Sequence, residues 1–422
     1  MSKPSVLFIN RVYPPVTGAT GRVLRDLAQG FASAGWEVTV VTTGRRRGKE
    51  RDGAVKIIRV RGAERPRGIF SYLIIWLKLF IAALRVPAGH LIVTMTDPPM
   101  LVAAGRLLRR LKKNRHIHWC HDVYPDIFPA LNVRLPGFLM RPAKKLSRLS
   151  IQECDKTIVI GRCMAKYLAH SGIDPRMITV IPNWPDPELL KPEGEPHSYF
   201  ERPDHLPVQV TINGAKPTEQ QLRDMAPKFR VLYAGNLGRA HPLKTIIEAA
   251  AILDHESPEI EFVFVGDGPR FDEVARERGK RGLHNIRLLP YQPQSRIRQV
   301  MESGDVHLIS MREDAAGMLV PSKLYAALAV GRPCIFIGPA QSEAARVVHD
   351  FHAGVIVAQG DAQALAEQIH RYRHNGEEWF AAHAGAEAAG RVFVPAEAIH
   401  AWIERAWSVV EPDIKGRTHD GA

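Results

Sequence analysis

At 422 residues, with 45% apolar and 24% charged residues, the chain is long enough for two or three cored domains and too apolar to be mainly disordered. Its four cysteines (Cys120, Cys154, Cys163 and Cys334) are scattered, which excludes a disulfide-dense scaffold or paired-cysteine zinc module and fits a reducing compartment. The formal charge of +13 is lopsided: residues 1–200 hold 32 Lys and Arg against 15 Asp and Glu, and the remainder 25 against 29.

The opening MSKPSVLFIN enters a strand over 5–10 with no signal-peptide pattern, so a cytoplasmic location is expected. GRVLRDLAQGFASAG reads as an amphipathic helix ending on Gly35, and EVTVVTT returns as a strand. Gly18 and Thr20, in PPVTGATGR, lie between that first strand and helix. They suit either a flexible ligand-facing loop or a turn that caps the helix.

Basic runs follow at 45–51 (RRRGKER), 65–67 (RPR), 106–115 (RLLRRLKKNR) and 141–148 (RPAKKLSR). Nucleic acid, an anionic lipid surface or a pyrophosphate-bearing substrate would each answer such charge, as would a plain solvated surface. Between the second and third runs lies GIFSYLIIWLKLFIAALRV, residues 68–86. Its apolar pieces fall short of the ~20 residues that span a bilayer. Aromatic residues beside Arg65, Arg67 and Arg85 favour a helix in the membrane interface, with burial in the core as the competing reading.

Further strands are expected at 55–60, 90–95, 116–120, 156–160 and 177–183. Strands alternating with helices imply an α/β fold with a parallel, doubly wound sheet, whose ligands bind at the carboxyl ends of the strands. Residues 185–227, rich in Pro, Glu and His, break the rhythm as a linker with a loose insert. The alternation then restarts with strands at 229–235, 260–268, 285–291, 306–311, 333–339 and 354–358. The expected division is an N-terminal Rossmann-like domain over 1–184, a linker over 185–227 and a second Rossmann-like domain over 228–395. Two such domains facing each other would form a deep cleft. A helix over 396–410 is expected to pack back, and the tail beyond Asp413 to be mobile.

Chemistry concentrates at strand ends. In the second half, the first strand empties into GNLGRAHPLK, where Gly235, Asn236 and Gly238 permit close backbone approach and Arg239 and Lys244 oppose negative charge. Lys244 also reads as an ordinary helix lysine. GDGP, with Gly266 and Asp267, ends the next strand and could be a plain αL turn. Pro321, Ser322 and Lys323 open a helix whose free N–H groups suit an anion. Together these describe a nucleoside diphosphate across several strand ends. In the first half, His121 and Asp122 follow the strand HIHWC directly.

In order along the chain, INRVYPPVTGATGRVLRDLAQGFASAGWEVTVVTTG, MTDPPMLVAAG, HDVYPDIF, TVIPNWPD, LYAGNLGRA, FVFVGDGP and LVPSKLYAALAVGRP resemble the GT-B glycosyltransferases of the retaining family four. The resemblance is closest to the branch associated with bacterial surface-polysaccharide assembly, and it covers nearly the whole chain. It implies two Rossmann-like domains and transfer of a sugar from a nucleotide donor with retention of configuration. The C-terminal domain would bind the donor and the N-terminal domain the acceptor. Arg239, then Lys323, would stabilise the departing diphosphate. The backbone around Leu319, Val320 and Ser322 would meet the sugar or phosphate, and Asp122 would orient the acceptor or stabilise positive charge on the sugar. His121 could join it or serve as a structural hydrogen-bonder.

No cofactor or metal ion is implied. The partners implied are a nucleotide sugar, a polyprenyl-pyrophosphate-linked saccharide and the anionic inner surface of the membrane, with no nucleic acid. The family's two glutamates, eight positions apart, fall here at Met318 and Ala326, and Glu313 or Glu343 is the candidate replacement. A nucleotide-sugar 2-epimerase of the same architecture and a basic nucleic-acid-binding protein are the alternatives.

Overall fold

The computed structural model describes residues 3–16, 18–64, 66, 68–190 and 228–419. The chain divides into two units: Met1–Trp184, Gly317–Val320 and Val394–Ala422 form one, and Pro185–Ala316 with Pro321–Phe393 the other. The linker and insert expected over 185–227 lie outside the described residues from 191 on, as do Thr17, Arg65 and Arg67.

The first unit is built on eight strands: β1 (Ser5–Ile9), β2 (Glu37–Gly44), β3 (Gly48–Asp52), β4 (Val55–Arg61), β5 (Leu91–Thr94), β6 (Arg115–Cys120), β7 (Lys156–Val159) and β8 (Ile178–Val180). Their order is β3-β4-β2-β1-β5-β6-β7-β8. All pair in parallel except β3, which runs antiparallel to β4. The basic run 45–51 therefore contains most of an edge strand that the sequence reading missed. A charged, exposed strand is a common way to blunt a sheet edge.

Helix α1 (Ala19–Ser33) begins two residues before its expected start. It buries Val23, Leu24, Leu27, Ala28 and Phe31 at helical spacing. Beyond it, Gly35 takes φ 88° and its N–H reaches the Ala32 carbonyl at 3.0 Å, a closure that glycine makes without strain. Helix α2 (Gly68–Leu84) buries only Ile75, Leu79 and Ala83, four residues apart. Phe70 is 82% exposed, and Ile69, Leu73, Ile74 and Leu77 are each at least half exposed. A core helix is thereby ruled out. No helix among the described residues is long and apolar enough to cross a membrane.

Helices α3 (Leu101–Lys112), α4 (Gly137–Gln152) and α5 (Arg162–His170) complete the layers. Most of the basic charge on α3 and at the start of β6 is answered within the unit. Arg106 and Arg110 pair with Glu153, Arg109 with Asp155, and Arg115 with Asp155 and Asp413. The four arginines of that run form a structural ion-pair network, in which Lys112 takes no part.

The second unit carries six parallel strands: β9 (Phe229–Asn236), β10 (Ile260–Asp267), β11 (Ile286–Leu289), β12 (Val306–Ser310), β13 (Cys334–Ile337) and β14 (Gly354–Val357). They are ordered β11-β10-β9-β12-β13-β14. Around them lie α6 (Lys244–Glu256), α7 (Phe271–Arg281), α8 (Ile297–Glu302), α9 (Lys323–Ala329), α10 (Glu343–Asp350), α11 (Ala362–His374) and α12 (Gly376–Val392). Central strands buried on both faces, such as CIFI, are what a doubly covered parallel sheet requires. The last helix, α13 (Pro395–His419), continues past Asp413 and belongs to the first unit. There Trp402 meets Trp119 with ring centroids 4.9 Å apart, and Trp407 meets Trp36 at 5.1 Å.

Candidate active-site residues in the two units

In the second unit the candidate donor residues gather at the carboxyl ends of β9 and β10 and the start of α9. Gly235 takes φ 109°, and an added Cβ would touch Lys323 Cε at 3.5 Å, so the dihedral rather than the space demands glycine there. Gly266 and Gly268, at φ 147° and 135°, are not the αL turn considered from sequence. A Cβ on Gly266 would lie 2.1 Å from the Gly235 carbonyl oxygen, and one on Gly268 2.4 Å from Asn236 Oδ1. GDGP thus lets main chain approach main chain, holding the ends of β9 and β10 together. Asp267 accepts from the Gly268 N–H at 2.7 Å. Gly238 has room for a Cβ, with its nearest neighbour at 3.4 Å.

Lys323, the first residue of α9, turns back over the end of β9. Its Nζ donates to the Asn236 carbonyl at 2.8 Å and lies 5.2 Å from the centre of the buried Tyr233 ring. Desolvation pushes this ammonium down to about 8, so it is still mostly charged at neutral pH. Ser322 is exposed, and its hydroxyl makes no cap bond to the helix. With seven residues, α9 carries a small dipole. Arg239 is exposed, with no hydrogen bond or ion pair among the described residues. Lys244 approaches Glu248 at 3.7 Å in an ordinary i,i+4 pair.

His241 was not singled out from sequence. Its Nδ1 donates to the Ser310 carbonyl at 2.5 Å, and burial, then the Lys323 charge, push it down to about 3. The ring is therefore neutral.

Ala326 packs among Leu189, Met301 and Val330, an apolar setting with no side-chain acceptor of its own. Of the replacement candidates, Glu313 is exposed in a short 3-10 turn. Glu343 is 4% exposed and opens α10, just past the carboxyl end of β13.

In the first unit a second group gathers at the carboxyl ends of β1, β5, β6 and β8. Asp122 forms an isolated antiparallel bridge with Leu319, and the Val123 N–H reaches the Met318 carbonyl at 2.9 Å. Leu319 and Val320 are almost fully buried. The Asp122 carboxyl is pushed up to about 7, by burial first and then by the Asp97 charge. Asp97 is itself gripped by Arg11 through two bonds of 2.7 Å, a bidentate pair across 86 residues that sequence reasoning had no means to find.

His121 is buried, its ring tilted against Trp119 with centroids 4.6 Å apart, and it is pushed down to about 3 by burial. Asn183 Nδ2 donates to its Nδ1 at 3.4 Å, which places the ring proton on Nε2. That Nε2 is buried without a partner, as are Asn183 Oδ1 and Asn10 Oδ1. Unmet buried groups at strand ends mark a place for ligand hydroxyls or water. Gly18, by contrast, belongs to the turn that starts α1, accepting from the Gly21 and Arg22 N–H groups at 3.1 and 3.2 Å. A Cβ there would lie 2.9 Å from Val12 Cγ1. Thr20 sits half-buried in the first turn of that helix. No group of three or more His, Cys, Asp or Glu side chains suited to a metal ion occurs among the described residues.

Two doubly wound units with cations and unmet polar groups at their strand ends have the architecture of GT-B glycosyltransferases. HepE of Anabaena, solved in complex with UDP, superposes with a TM-score of 0.68 at 16% identity, over 96% of this chain and 100% of that one. The models "Glycosyltransferase Family 4" and "Glycosyl transferases group 1" match residues 20–189 and 205–386. The chain belongs to the GT-B glycosyltransferases of family four. It is 24% identical over 287 residues to the probable glycosyltransferase WbjE of Pseudomonas aeruginosa, covering 68% of this chain. It is 26% identical over 277 residues to the putative colanic acid biosynthesis glycosyl transferase WcaI of Escherichia coli K12, covering 64% of this chain. These matches span 66% and 63% of the two relatives' own lengths.

Proposed function

We propose that the chain transfers a hexose from a nucleotide sugar, with retention of configuration, to a saccharide carried on polyprenyl pyrophosphate during synthesis of a cell-surface polysaccharide. The observation that carries this reading is the Lys323 ammonium, held 2.8 Å from the Asn236 carbonyl at the carboxyl end of the second unit's sheet. A fixed cation there stabilises the nucleoside diphosphate as it leaves, with the exposed Arg239 reaching the same phosphates. The charge compensation is assigned to these side chains and not to a metal ion. Glu343 replaces the ribose-binding carboxylate absent at Ala326. The first unit takes the acceptor, with His121 Nε2–H and Asn183 Oδ1 meeting its hydroxyls. Asp122, ionised as pH rises past about 7, faces positive charge on the sugar.

The relatives' names support the pathway class, WcaI being a putative colanic acid enzyme. The bound UDP of HepE supports a nucleotide donor. The exposed apolar face of α2 supports peripheral contact with a membrane, where a polyprenyl acceptor resides. A thermal-shift screen with UDP-, GDP- and ADP-sugars tests the proposal. One nucleotide sugar is expected to raise Tm, and failure of all three families of donor would contradict it.

A further inference from the structure

The first unit holds a second feature at the opposite end of its sheet. Strands β1, β2 and β5 start at Ser5, Glu37 and Leu91, and around these amino ends lies a cavity of about 490 Å³. That volume is within the ~300–1,000 Å³ of small-molecule pockets. The candidate active-site residues Asn10 and Asp122 follow the carboxyl ends of the same sheet, so neither belongs to this cavity.

Its floor is apolar. Leu7, Ile58 and Ile92 line it, and all three belong to the core that α2 and α3 build on this face. Val86, in the stretch just after α2, also lines the cavity. The last turns of that helix expose Ile81 and Leu84, so an exposed apolar stripe leads toward the cavity.

The walls are cationic. Lys49 and Arg51 on β3 lie opposite Ile58 and Lys56 on β4. Neither has a hydrogen bond or ion pair among the described residues. Lys112 hydrogen-bonds only a carbonyl, that of Val86, and burial lowers its pKa. The acids present are already engaged, Glu37 with Lys56 at 3.8 Å and Glu50 with Arg59 at 2.6 Å. An apolar floor and surplus positive charge answer the two ends of one amphiphile.

We propose that this cavity binds a phosphate-headed membrane lipid, with hydrocarbon on Leu7, Ile58 and Ile92 and phosphate between Lys49, Arg51 and Lys112. The site lies outside the machinery proposed for transfer and does not depend on that reading.

Calorimetry with decyl phosphate below its critical micelle concentration tests the proposal on the full chain. Decyl phosphate should bind wild type, while inorganic phosphate, which lacks the apolar chain, and decyl maltoside, which lacks the charge, should each bind at least about tenfold more weakly. Lys49→Glu with Arg51→Glu should lose about tenfold or more. Both positions are exposed, so Tm should hold. Thr39→Phe, which fills the cavity and leaves every charge in place, should lose binding too, and it serves as the test if the double variant does not fold. Equal binding of inorganic phosphate, equal binding of decyl maltoside, no binding of decyl phosphate, or unchanged affinity in a folded variant would each overturn the assignment.

Discussion

Lys323 and Asp122 are both moved by burial, and the signs of the resulting pH effects differ. The ammonium is pushed down to about 8 from an ordinary 10.5, so between those values the unfolded chain binds a proton that the folded chain has lost. Stability of the ligand-free protein therefore rises with pH across that window. Diphosphate affinity should move the other way, weakening as the pH is raised from 7 to 9, and calorimetry at both values reads it. For Asp122 the carboxyl is raised from 3.8 to about 7. Its effect on stability is thus worst above pH 7 and is relieved as the pH falls through that range. Asp122→Asn should then raise Tm at pH 8 while turnover falls by about tenfold or more. A lower Tm together with full turnover would remove Asp122 from the mechanism. Lys323 was legible in PSK because a helix start after a strand has a known place at the sheet edge. His241 and the Arg11–Asp97 pair were not, since their roles come from contacts across 69 and 86 residues.

Among the elements, α2 separates packing from exposure. Leu79 is fully buried and Phe70 is 82% exposed. Leu79→Ala should therefore cost about 2–5 kcal/mol in denaturant unfolding, while Phe70→Ala should stay within about 0.5 kcal/mol. Phe70→Asp with Leu73→Asp should weaken co-sedimentation with anionic vesicles and leave the fold intact, if the exposed face meets lipid. Unaltered co-sedimentation would exclude that role. The existence and length of α2 were plain in the sequence, but an all-round apolar helix does not reveal which stripe is buried. Only the packing of Ile75, Leu79 and Ala83 fixed it. Strand β3 escaped notice for the converse reason. A run of Arg, Lys and Glu carries no alternation, and its strand character comes from pairing with β4. The buried strands of both sheets were legible throughout, because short Val, Ile and Leu runs between glycines have few other uses.

At the scale of the molecule, a formal +13 suggested a polyanionic partner, and the fold answers part of that charge internally through Glu153, Asp155 and Asp413. Sequence could count these charges but not pair them. The two-unit architecture was legible because the β/α alternation stops and restarts. The proposed donor grip was half legible: the cations stood in recognisable motifs, while the buried setting of Glu343 became visible only in the fold. Arg239 and Lys323 are proposed to hold the diphosphate of the donor, and nucleotide binding to the Arg239→Ala, Lys323→Ala double variant reads that role. Calorimetry with the nucleoside diphosphate that wild type prefers should show affinity falling by about a hundredfold, because each cation removed takes a charge-assisted hydrogen bond with it. A folded double variant that binds as tightly as wild type would exclude both cations from diphosphate binding.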